Sequence, residues 1–115
     1  MTSAIITGAA GQDGILLSQL LIAEDVEVVG LVKPGTDASV LLRYAPAVTV
    51  VECDLGDAIA FRDVLLDTHP DQIYNFGGVS SIMESVNNPE MTHLVNVGAV
   101  ETILEVMREI GPARE

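Results

Sequence analysis

Three glycines, Gly8, Gly11 and Gly14, stand three residues apart between a short β-branched run and a longer apolar segment. A G-x-x-G-x-x-G turn between a strand and a helix has one chemistry open to it. Bare backbone comes close to an anion, and the first helical turn adds unpaired N–H groups and the positive end of its dipole. Each glycine then has a task. Gly8 allows the tight turn off the strand, Gly11 lets the backbone approach a pyrophosphate, and Gly14 lets the helix pack against the strand. The alternative is an ordinary glycine-rich turn. Asp13, in the same first turn, favours the helix electrostatically. It would repel a phosphate, so it is expected to point away and hydrogen-bond locally.

Two further positions carry chemistry. Lys33, the only lysine of the chain, follows Val32 at the end of the second apolar run. An acid there binds the ribose hydroxyls of NAD, whereas a cation favours the 2′-phosphate of NADP. Lys33 therefore points to NADP, with a solvated loop lysine as the competing reading and NAD as the alternative cofactor. Asp37 lies too far past the turn to be the obvious ribose ligand. In "CDLGD", Asp54 is placed to accept from an adenine amino group and Leu55 to make an apolar contact. Asp54 also suits a helix N-cap, unless Asp57 does the capping.

The elements must bring these positions to one end of a sheet. Ser3 to Thr7, Val26 to Val32, Val48 to Cys53 and Gln72 to Phe76 read as strands, β-branched and nearly continuous in apolar residues. Gln12 to Ala23 reads as a helix, with Ile15, Leu16, Leu20 and Ala23 at helical spacing. Asp37 to Tyr44 reads as a short helix, and Asp57 to Thr68 as one stopped before Pro70. Ser80 to Asn88 reads as a loop or short helical turn. Pro89 to Ile110 reads as a long helix ended by Gly111-Pro112. Strands alternating with helices imply a parallel sheet covered on both faces. The expected fold is α/β, a partial Rossmann fold of four parallel strands in the order 3-2-1-4 with flanking helices.

Composition narrows the partners. There are 17 acidic residues against 5 lysines and arginines among 115. That balance argues against nucleic acid and anionic membranes, which need clustered positive charge. It fits a high-salt habitat or a biased base composition equally well. No apolar run approaches the roughly 20 residues of a membrane span, and no basic region precedes an apolar stretch at the N-terminus. A cytoplasmic chain is expected. Cys53, the sole cysteine, reads as a small buried residue. His69 and His93 have no acid or thiol at ligand spacing, so no metal site is expected. Met83, Met91 and Met107 read as gap-filling apolar residues.

With these residues in view, "ITGAAGQDG", "CDLGD", "IYNFGGVSS" and "NVGAVETILEVM" resemble, in order and spacing, the extended short-chain dehydrogenase/reductase family. "TGAAGQDG" joined to "GLVK" is most similar to the GDP-mannose 4,6-dehydratases, while "ESVNNP" looks more like sugar-nucleotide epimerases in general. The resemblance implies that Gln12 and Asp13 belong to the pyrophosphate loop's backbone contacts. It places Phe76, Gly77 and Gly78 beside the cofactor ribose, Ser80 and Ser81 toward nicotinamide and substrate, and Asn96 in support of the active site. Ser80-Ser81 departs from the Ser-His of many dehydratases.

The family's acid/base pair is Tyr-x-x-x-Lys. Tyr44 and Tyr74 are followed four residues on by Val48 and Gly78, so no catalytic residue is assigned. The resemblance therefore implies residues 1–115 are the N-terminal half of a dinucleotide-binding domain, without the catalytic segment or the nucleotide-sugar domain. The expected function is NADP binding within a nucleotide-sugar dehydratase. A fragment of an NAD-dependent epimerase and a non-catalytic dinucleotide-sensing module are the alternatives. A homo-oligomer is also expected, through the edge of the fourth strand or through Leu94, Val97, Val100, Ile103, Leu104 and Met107 of the last helix.

Overall fold

The computed structural model describes residues 2–77 and 98–110. Its strands are β1 (Ser3–Thr7), β2 (Glu27–Val32), β3 (Thr49–Glu52) and β4 (Gln72–Asn75). Its helices are α1 (Gln12–Ala23), α2 (Ser39–Tyr44), α3 (Ala58–Thr68) and α4 (Ala99–Ile110). The four strands pair in parallel in the order β3-β2-β1-β4, as expected.

Alternation along β1 divides the interior into two layers. Ala4 and Ile6 face one way, with Val28, Val32, Leu41 and Val48, under α1 and α2. Ile5 faces the other way, with Val29, Leu31, Phe61, Leu65 and Val106, under α3 and α4. Successive strand residues point to opposite faces, so a strand covered on both sides must be apolar throughout. That is why β1 and β2 read as unbroken apolar runs.

Most boundaries shift by a residue or two from those expected. Asp57 stands outside α3 as its N-cap, and its Oδ1 accepts from the Ala60 N–H at 3.1 Å. Phe76 falls outside β4, although its N–H still reaches the Thr7 carbonyl at 3.3 Å. Of the helix expected over Pro89 to Ile110, residues 98–110 are described, and α4 occupies Ala99–Ile110. The reading of Ser80 to Asn88, and the positions Leu94 and Val97, lie outside the described residues.

The helix expected over Gln12 to Ala23 is present, but its large apolar residues do not mark its buried face. The face that meets the sheet carries Gly14, Ser18 and Leu21, while Leu16 and Leu20 are 53% and 65% exposed and Ala23 is exposed too. The helix is apolar on nearly every side, so spacing of large residues does not choose a face. Small residues do: Gly14 and Ser18 let the helix approach closely, and the Ser18 hydroxyl donates to the Gly14 carbonyl at 2.7 Å.

The helix ends in a Schellman motif. Val26 N–H donates to Leu21 O and Asp25 N–H to Ile22 O, each at 3.0 Å, with Asp25 left-handed at φ 61°. α3 also ends on a left-handed residue, the exposed His69 at φ 50°. α4 packs beside α3, burying Thr102 and Val106, and Arg62 of α3 pairs with Glu109.

Candidate functional site

A cleft of about 250 Å³ opens at the C-terminal ends of β1, β2 and β3. Parallel α/β sheets offer such a crevice where successive strands diverge in order. Here β1 lies between β2 and β4, so the chain leaving β1 crosses between the two halves of the sheet.

The glycine turn forms one wall. Gly8 is left-handed at φ +63°, and a Cβ on it would lie 2.8 Å from the Phe76 carbonyl carbon and oxygen. Gly11 is the N-cap of α1. Its N–H donates to Gly8 O at 3.1 Å, and it brings no side chain to cap the helix. The first-turn N–H groups of Gln12, Asp13 and Gly14 are therefore left without a capping side chain, the arrangement an anion would complete. Gly14 is buried. A Cβ there would sit 2.6 Å from Gly8 O and 2.7 Å from Ala9 Cα. Its tightest contacts are thus with the turn that follows β1, where packing against the strand was expected.

Gln12 and Asp13 are exposed on the first turn, outside the cleft lining. The local hydrogen bond expected for Asp13 is not made to any described residue. A solvated carboxylate already gains from the helix dipole and needs no partner.

Lys33, Asp54, Leu55, Phe76 and Gly77 line the cleft together with Gly8 and Gly11. Lys33 is exposed and forms no ion pair with a described residue. Asp54 does not cap α3, because Asp57 does. Its Oδ1 accepts from Gly56 N–H at 2.9 Å, and its other oxygen has no described partner. Asp37 lies outside the cleft lining, and its carboxylate accepts the Ser39 N–H at 2.9 Å. That bond and one from the Ser39 hydroxyl hold its carboxyl below the ordinary range. Burial, followed by the nearby charges of Asp54 and Asp57, pushes the Cys53 thiol up. A thiol held protonated is a poor nucleophile. Gly78, Ser80, Ser81 and Asn96 lie outside the described residues.

Several contributors escape motif reading. Thr7 is fully buried; its hydroxyl donates to Asn75 Oδ1 at 2.6 Å and accepts from Gly77 N–H at 2.9 Å. It ties the end of β1 to the segment that closes the cleft. Gly30 in β2 makes room for the glycine turn, since a Cβ would fall 2.8 Å from Ala9 Cβ. Thr36 lines the cleft beside Lys33. Thr7→Val keeps the shape of Thr7 but removes both hydrogen bonds. It should cost about 1–3 kcal/mol in urea unfolding, the penalty for unsatisfied, partly buried groups. Thr7→Ser should recover most of that loss.

Comparison with known proteins decides the family. A family model described as GDP-mannose 4,6 dehydratase matches residues 5–115. The chain belongs to that family. A GDP-mannose 4,6-dehydratase of Vibrio cholerae is 31% identical over 125 residues, covering 94% of this chain and 32% of that protein. One from Sordaria araneosa is 30% identical over 111 residues, covering 95% of this chain and 20% of its own length. The chain thus spans a third or less of these dehydratases.

Among solved structures, a UDP-glucose 4-epimerase superposes with a TM-score of 0.77 at 26% identity, over 94% of this chain and 32% of that one. The Thermus thermophilus UDP-glucose 4-epimerase, in complex with NAD, gives 0.81 at 24% identity, over 96% and 35%. This chain thus shares its Rossmann arrangement with these epimerases.

Proposed function

We propose that this chain is the dinucleotide-binding part of a nucleotide-sugar 4,6-dehydratase acting on GDP-mannose, with NADP as its cofactor. One observation carries the reading: the uncapped start of α1 at Gly11 and Lys33, which pairs with no described acid, border the same cleft, as the pyrophosphate and the adenosine 2′-phosphate of one dinucleotide would require. The pyrophosphate would lie over Gly8, Gly11 and the first turn of α1. Lys33 and Thr36 would face the 2′-phosphate, and Asp54 and Leu55 the adenine. Phe76 and Gly77 would border the ribose. When bound, the nicotinamide supplies hydride transfer. In this reading the Tyr-Lys acid/base pair lies outside these 115 residues, together with the sugar-binding part.

NADPH should bind about tenfold more tightly than NADH at low salt, because Lys33 meets a charge that only NADPH carries. Calorimetric titration of the chain and of Lys33→Ala tests this. Lys33→Ala should bind the two nearly equally. A preference for NADH that survives the substitution would overturn the NADP assignment in favour of an NAD-dependent epimerase parent. Failure to bind either would remove the dinucleotide reading, including that of a sensing module.

A homo-oligomer in the cytoplasm is part of the same reading. Val100 and Leu104 on α4 are 43% and 59% exposed, and β4 is an edge among the described strands. Among the described residues no helix is long and apolar enough to cross a membrane. Self-association would have to overcome a formal charge of −12 per chain, so it should strengthen with salt in sedimentation equilibrium. A monomer at high salt and high micromolar concentration would remove the oligomer from the proposal.

A further inference from the structure

The segment after β2 is Lys33-Pro34-Gly35-Thr36. Thr36 N–H donates to Lys33 O at 3.0 Å, and Gly35 has φ +83°. Proline at the second position and a left-handed glycine at the third define a type II turn. In such a turn the third residue's N–H is not used by the turn itself. Here it has a partner: Gly35 N–H donates to Glu52 Oε1 at 3.1 Å.

Glu52 is the last residue of β3 and lies in register with Val32, the last of β2. The next rung, Cys53 N–H to Val32 O at 2.8 Å, closes the ladder immediately before the turn. The turn is thus fastened at its base by the sheet and at its tip by a carboxylate. Lys33 and Thr36 line the cleft, whereas Glu52 does not.

We infer that Glu52 is a positioning residue for cofactor choice. By holding Gly35, it fixes the Lys33–Thr36 turn so that the ammonium of Lys33 and the hydroxyl of Thr36 are presented together to an adenosine 2′-phosphate. The inference rests on the dinucleotide reading above and adds a specificity element to it. The sign is not the obvious one. An acid near a phosphate subsite would ordinarily select against NADP, yet this acid favours it through the backbone it holds. Without the anchor the turn samples other conformations, and apparent affinity falls by the fraction of chains that remain competent. A hydrogen bond to a charged acceptor is strong enough to make that fraction about one tenth.

The test uses the 115-residue chain, with adenosine 2′,5′-bisphosphate and 5′-ADP as probes, titrated by calorimetry at low salt. Hydrogen exchange at the Gly35 amide is followed in parallel by NMR. Glu52→Ala should lower the preference for the 2′-phosphorylated probe by about tenfold, and Gly35 exchange should quicken about tenfold. Affinity for 5′-ADP should hold within about twofold, which general unfolding would not allow. Glu52→Gln retains an acceptor oxygen and should restore most of both effects.

An unchanged preference in Glu52→Ala would overturn the inference. So would a rise in 2′-phosphate affinity in Glu52→Gln, which would show the carboxylate acting by repulsion. If neither probe binds the wild-type chain, the dinucleotide reading fails. The Gly35 exchange then still reports whether Glu52 anchors the turn, so the two failures are distinguishable.

Discussion

Valine in place of Gly14 should lower the thermal midpoint of this chain by about 12 °C or more, from a loss of about 3 kcal/mol. The added Cβ has nowhere to go. It would meet Gly8 O at 2.6 Å, Ala9 Cα at 2.7 Å and Ala9 O at 2.8 Å, all backbone atoms or carbons rooted in backbone. A flexible side chain would swing aside, but this turn is held from several directions. Gly8 is fixed in a left-handed conformation against the Phe76 carbonyl. Ala9 N–H donates to Leu31 O at 3.2 Å, and Ala9 packs over Gly30. Relief therefore requires moving α1 away from the sheet, which uncovers Ser18 and Leu21. Removing a helical glycine returns at most about 0.5–1 kcal/mol through the backbone, too little to offset the clash. Alanine should produce most of the same loss, because the contact is made at Cβ. Circular dichroism melting of both variants is the measurement. A midpoint within about 3 °C of wild type would show that the turn yields more readily than its contacts imply.

That constraint also shows which features were legible in the sequence. The glycine spacing announced the turn, and unbroken apolar strands announced a sheet covered on both sides. Set on the usual doubly wound topology, those two features place the order 3-2-1-4 and the cleft. The buried face of α1 was not legible. Leu16 and Leu20 look like core by size, yet the sheet side selects Gly14 and Ser18 for their smallness. Thr7 carried no visible signal either. It ends an apolar strand, and its two hydrogen-bond partners, Asn75 and Gly77, are about 70 residues away in the chain. Glu52 read as one acid among 17, because what singles it out is register with Val32 across a parallel ladder. The place of Lys33 at the cleft was legible because it follows directly on a strand end. Motifs thus expose residues whose role depends on neighbours in sequence. They miss residues whose role depends on strand pairing.

The glycine turn contains one position where structure and ligand make separable demands. Gly11→Val should leave the fold intact and weaken dinucleotide binding about a hundredfold. Gly11 adopts φ −77° and ψ 167°, an extended conformation that β-branched residues favour. It is exposed, and a Cβ would find only Gly8 O, at an ordinary 3.4 Å. The protein therefore has room for the side chain, with at most about 1 kcal/mol lost from a poorer N-cap. The ligand has none in the proposed reading. Valine methyls would fill the space over the start of α1 through which a pyrophosphate must reach the N–H groups. Two charge-assisted hydrogen bonds forgone at about 1.5 kcal/mol each give about 3 kcal/mol, or roughly a hundredfold in Kd. NADPH titration paired with a melting curve reads both quantities on one preparation. Lost binding with an unchanged midpoint supports a pyrophosphate over Gly11. Unchanged binding would show that the ligand takes another path through the cleft. Loss of both would make Gly11 a structural residue like Gly14, and the uncapped first turn of α1 would need a different explanation.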